Sequence, residues 1–161
     1  MKVRKIALIS GLFCNGLVST ATANELKSIH STKDALVRSF VENLGKVEHV
    51  KSLFPTKDMA HGILQCETDN LLWLDIESQL KILDENHDVF KDIQSEFLSE
   101  ETTTQKKFLS GDKKGACSFQ QNVSIFNIKV NVRFAKGEKT TLDTDFIQVL
   151  FVSNEFYLLS L

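Results

Sequence analysis

The sequence predicts an α+β fold, a helical N-terminal half packed on a bent antiparallel sheet of three or more strands. Three observations carry that expectation. Apolar residues recur at three and four spacing from Leu36 to Phe97, they switch to alternation and continuous runs after Ser118, and Cys66 and Cys117 stand one in each half. No repeat, low-complexity tract or linker divides the chain.

The N-terminus precedes the fold. Met1-Lys2-Val3-Arg4-Lys5 is a basic start, Ile6 to Val18 is mostly apolar, and Ala21-Thr22-Ala23 is a small-x-small site before Asn24, the three-part pattern of a secretory signal peptide. Ser10, Gly11, Asn15 and Gly16 interrupt the run, which falls short of the ~20 residues that span a bilayer. Phe13 is too bulky for a lipoprotein signal at Cys14. The expectation is a leader over 1–23, one α+β domain over 24–161, no integral membrane segment after cleavage, and a periplasmic or extracellular address. The leader holds three of the 19 basic residues and no acid, so 16 basic face 21 acidic side chains, a formal charge of −5. A polyanion such as nucleic acid is excluded as the main partner.

Cysteine usage agrees with export. Without Cys14, Cys66 and Cys117 form an even pair in a chain bound for an oxidising compartment, which predicts a disulfide; two buried free thiols are the alternative.

Taken in order, Ser31 and Asp34 form a capping box, and Leu36, Phe40, Leu44, Val47 and Val50 then keep helical spacing. One helix is expected to run to about Leu53, where Pro55 stops it. Thr56 caps a second helix over 57–65 that delivers Cys66 to its end. Leu72, Trp73, Ile76, Leu80 and Leu83 define a third, and the polar run 84–88 breaks it. Phe90, Ile93 and Phe97 continue a short amphipathic helix to about Ser99. Residues 100–115 read as loop, with Lys106-Lys107-Phe108-Leu109 as a short edge strand.

The sheet proper begins near Ser118. Phe119, Val123 and Ile125 occupy odd positions, whereas Phe126, Ile128, Val130, Val132 and Phe134 occupy even ones. A one-residue slip turns every side chain over, so the change of phase at Ile125-Phe126 predicts a bulge or bend. Residues 135–139 make a glycine-containing connection, a strand over 144–152 is apolar on both faces, and Ser153-Asn154-Glu155 turns into the last strand, 156–161.

A long first helix, further helices, long bent strands and a final strand Asn154-Glu155-Phe156-Tyr157-Leu158-Leu159 together resemble the NTF2-like (cystatin-like α+β cone) superfamily. The resemblance is one of element order over most of the chain, with Phe156-Tyr157 similar to the aromatic close of its members. It implies a pocket between the curved sheet and the helices, used by relatives for small-molecule binding, isomerase-type chemistry or protein association.

Candidate chemistry is sparse. His30, His49, His61 and His87 have no metal-ligand spacing, and His49 or His61 would serve only as a lone general base. Asp75, Glu77, Asp143 and Asp145 are candidate acids without a second group placed to assist them. Asn127, Lys129, Asn131 and Arg133 share one strand face, as a ligand or partner patch or as a solvated surface. Lys106, Lys107, Lys113 and Lys114 suit an acidic partner surface or a charged loop. No nucleophile elbow, phosphate loop or dinucleotide fingerprint is present. The expected binding residues are therefore Asn127, Asn131, Arg133, Asp145 and Tyr157, with no catalytic set, metal or cofactor. The function these features favour is an exported non-catalytic binding protein, for a small apolar ligand or a protein partner of the inhibitor or immunity type. The alternative is a small pocket enzyme, a hydrolase or isomerase using one acid or histidine.

Overall fold

The computed structural model describes residues 28–134, 139–142 and 147–161. Helices α1 (Lys33–Glu42), α2 (Val47–Ser52) and α3 (Lys57–Ile63) lead into strand β1 (Leu64–Cys66), followed by helices α4 (Leu71–Glu85) and α5 (His87–Phe90). Strands β2 (Ser95–Phe108), β3 (Lys113–Lys114), β4 (Cys117–Phe119), β5 (Val123–Phe134), β6 (Lys139–Leu142), β7 (Gln148–Val152) and β8 (Glu155–Ser160) complete the chain. The class is α+β, as the sequence predicts. The leader expected over 1–23, residues 135–138, Asp143 and Asp145 lie outside the described residues.

The first helix starts one residue later than the capping box suggests. Thr32 is the cap, its hydroxyl accepting from the Ala35 amide at 3.1 Å, while the Ser31 hydroxyl donates to the Ser28 carbonyl. The single helix expected to reach Leu53 is two helices, broken between Asn43 and Lys46. Both bury their apolar residues in the same core, so helical spacing runs unbroken across the gap. The break coincides with a close approach of chain remote in sequence. Gly45 lies against the chain at 90–93, and a Cβ there would meet the Ile93 carbonyl oxygen at 2.8 Å. Gly45→Ala is expected to cost about 1–3 kcal/mol through that overlap, read as a lowered urea midpoint.

Thr56 and Asn70 cap the next helices, accepting from the Met59 amide at 3.3 Å and the Trp73 amide at 2.9 Å. Buried Asn70 also donates through its side-chain amide to the carbonyls of Ala60 and Leu64, tying α3 and β1 to the start of α4.

Residues 95–108, expected as a helix end and a loop with a short edge strand only from Lys106, form a fourteen-residue strand paired with β5 along its length. Two features hide it. Register shifts at Phe97/Ser99 and Thr102/Thr104 interrupt the two-residue period, and the inward row is polar, with Glu100 held at 3.1 Å by Lys33 of α1. Thr102-Thr103-Thr104 supply β-branched side chains that suit a strand.

The main sheet runs β2-β5-β7-β8, with β6 beside the second half of β5. β5 pairs with β7 over Ser124–Asn127 and with β6 over Val130–Arg133, so its neighbour changes near the predicted phase change. Phe126, Ile128, Val130 and Val132 face α1, whose Lys33 ammonium lies 5.7 Å from the Phe126 ring centroid. Val123 and Ile125 face the other way, where Phe119 stacks on Phe108 with centroids 4.5 Å apart. The apolar phase changes because the cover changes sides. β7 and β8 are buried on both faces, through Val149, Leu150, Tyr157, Leu158 and Leu159.

Ser153 and Asn154 have φ of 52° and 66°, the two left-handed positions of a tight hairpin turn whose twist matches the strands. The outer edge of β8 is closed by chain from the helical half, Phe156 N–H donating to the His30 carbonyl and Leu158 N–H to that of Leu53, each at 2.9 Å. A second, small sheet has the order β1-β4-β3. Cys66 lies directly opposite Cys117 in it, with the sulfurs at bonding distance, 2.04 Å. Such a pair fits an oxidising environment.

Candidate functional site

Where the small sheet and α4 cover the Ile125 side of the main sheet, they leave a cavity of about 290 Å³. Its apolar wall is Leu64, Leu72, Phe119, Ile125, Leu150 and Leu159, with Ile63 beside them. The two-residue strand period puts Gln148 and Leu150 on one face, and register sets Ile125 against Leu150. Helical spacing brings Leu72, Asp75 and Gln79 to one side of α4. The polar members are Asp75, Ser78, Gln79, Lys114, Gln148 and Ser160. Gln79 accepts from the Leu161 amide at 3.3 Å, and Gln148 donates to the Asn127 side-chain oxygen at 2.9 Å. A larger, shallower groove of about 420 Å³ follows the disulfide past Gln65, Glu67 and Lys113, with little apolar wall.

Asn127, Asn131 and Arg133 form a row on β5, each bonded across to β2. Asn127 donates to the Thr104 hydroxyl at 2.7 Å, Asn131 to that of Ser99 at 2.8 Å, and Arg133 pairs with Glu96 at 2.7 Å. The row is a cross-strand ladder, and only Asn127 reaches the cavity, through Gln148. Asp145 lies outside the described residues.

Tyr157 is buried in β8, its hydroxyl donating to Glu155 and its ring 4.4 Å from that of His30. Burial, reinforced by the hydrogen bond and charge of Glu155, raises the phenol well above its ordinary value of 10.0. Above about pH 10 the unfolded chain loses a proton that the folded protein keeps, so this contribution is complete below that pH and declines as pH rises. The stability gap between the parent and Tyr157→Phe is therefore expected to narrow above pH 10, as urea unfolding at successive pH values would show.

The histidines do not converge. His30 is buried and its Nδ1 lies 2.5 Å from the Phe156 carbonyl, His49 Nε2 is 2.8 Å from the Ser39 hydroxyl, and His61 and His87 are exposed. None lines the cavity, so Ser78 and Ser160 there have no imidazole to activate them. Among the described residues no group of three His, Cys, Asp or Glu side chains could hold a metal ion, and no helix is long and apolar enough to cross a membrane.

Of the cavity's polar residues, sequence reasoning singles out Asp75 as an acid and Lys114 as one of four lysines. It misses Ser78, Gln79, Gln148 and Ser160. Gln148 carried a usable signal, a lone amide inside an otherwise apolar run from Phe146 to Val152. No protein-family model, curated protein or solved structure matches the chain.

Proposed function

We propose that the protein is an exported binding protein that holds a small apolar ligand between α4 and the sheet and does not transform it. The observation that carries this reading is the cavity, with an apolar wall on one side, polar groups on the other, and no nucleophile beside a base. The leader pattern and the Cys66–Cys117 pair support export. The likeness of element order to the NTF2-like superfamily supports a pocket at this place. Melting the protein with medium-chain alcohols and small aromatics tests it, because a ligand at 100 times its Kd adds about 2.7 kcal/mol. The expected result is a raised midpoint that Leu150→Trp, which fills the cavity, abolishes. No shift with any of these compounds or with free apolar amino acids would refute the reading. Turnover of a bound compound, lost in Asp75→Asn, would establish a pocket enzyme instead.

A second reading, a protein partner, is favoured by Leu71, Leu74 and Ile82 of α4, which are 40%, 44% and 46% exposed beside the cavity. Under that reading Leu74→Asp and Ile82→Asp abolish partner binding and leave small-ligand binding intact.

A further inference from the structure

We infer that the ligand of this cavity is a zwitterion with an apolar body, its ammonium drawn to Asp75 and its carboxylate to Lys114, as in a free apolar amino acid or a short apolar peptide. The inference rests on the binding reading above and specifies its ligand.

Both signs of charge stand on one cavity. Asp75 belongs to α4 and Lys114 to β3, and both line the same space as Leu72, Phe119 and Leu150. Neither forms an ion pair with any described residue, as is also true of Lys57, Lys106, Lys107, Lys113 and Lys129. They also stay apart from each other, so the acid and the ammonium remain available to separate groups of a ligand.

The uncharged polar groups have the same mixed character. Among the described residues the Gln79 amide nitrogen is left as a donor, since its oxygen takes the Leu161 amide, and the Gln148 amide oxygen is left as an acceptor, since its nitrogen is given to Asn127. The Ser78 and Ser160 hydroxyls serve either role. A ligand with only acceptors would leave Gln148 unmatched, and one with only donors would leave Gln79 unmatched.

Charge arithmetic narrows the class further. A fatty acid or an alkylamine would gain at one rim group and be repelled at the other, and only a ligand bearing both charges gains at both. Both rim groups are exposed side chains on anchored backbone, α4 being capped by Asn70 and Lys114 lying directly opposite Cys117, which the disulfide joins to Cys66.

Calorimetric titration of the purified protein with leucine, phenylalanine and dileucine tests the inference, alongside N-acetyl-leucine, which lacks the ammonium, leucinamide, which lacks the carboxylate, and 4-methylpentanol, which lacks both. The zwitterions are expected to bind best, each blocked form losing about tenfold, the worth of one charged hydrogen bond. Asp75→Asn should erase the preference for leucine over N-acetyl-leucine, and Lys114→Met the preference over leucinamide. Both substitutions are on the surface and should leave the melting midpoint within a degree or two, as exposed changes usually do. Blocked forms that bind as well as leucine, or variants that weaken every compound equally, would overturn the inference while leaving an apolar cavity site intact. If 4-methylpentanol, the zwitterions and the aromatic compounds all fail to bind, the binding reading falls and the zwitterion with it.

Discussion

Reduction of the Cys66–Cys117 bond is expected to lower stability by up to about 4 kcal/mol, and the melting midpoint by on the order of 10 °C. The bond joins residues 51 apart in sequence, and the magnitude follows from the freedom that a closed loop of this length denies the unfolded chain. Backbone hydrogen bonding makes little alternative provision. β1 and β4 have three residues each and β3 has two, so the small sheet has few backbone bonds of its own. Thermal melts with and without reductant, repeated on the Cys66→Ala, Cys117→Ala double variant, measure the effect. Two free thiols titrated in denatured, unreduced protein would show that the bond does not form. Because Phe119 and Lys114 belong to the clipped sheet and line the cavity, reduction should also weaken the ligand binding proposed for it.

Ile128→Ala is expected to cost about 2–5 kcal/mol, whereas Lys129→Ala should change stability by no more than about 0.5 kcal/mol. Ile128 is 0% exposed beneath α1, and the next residue along the strand points out. The pair reads the phase of β5 after its change of face. Comparable losses at both positions, in urea titrations with unchanged slope, would place the turn-over of the strand elsewhere. A cavity left at Ile128 has little means of collapsing, since Val130, Val132 and Leu36 around the same core are themselves 0% exposed.

Local chemistry was legible in the sequence. Thr56 as a cap, Pro55 as a stop, the cysteine pair and the phase change at Ile125-Phe126 each depend on residues close together or on a rule of period two. The break near Gly45 had a local signal in Asn43 and Gly45, residues that often end helices, but the close approach of the Ile93 carbonyl that requires glycine there is announced by no local pattern. β2 was misread for a related reason. Its inward Glu100 looks like a solvent residue until Lys33, 67 positions earlier, is seen to meet it. The cavity was legible only as a place, the sheet's covered side. Asp75, Lys114 and Gln148 come from a helix and two strands of different sheets, and only the fold brings them together.

His30 and Phe156 lie 126 residues apart and bond through backbone and side chain alike. Closing that contact is among the longest-range steps available to the chain, and such steps come late and slowly in folding. The native edge of β8 therefore forms only once both ends of the described chain are in place, whereas the pairing of β2 with β5 needs neither end.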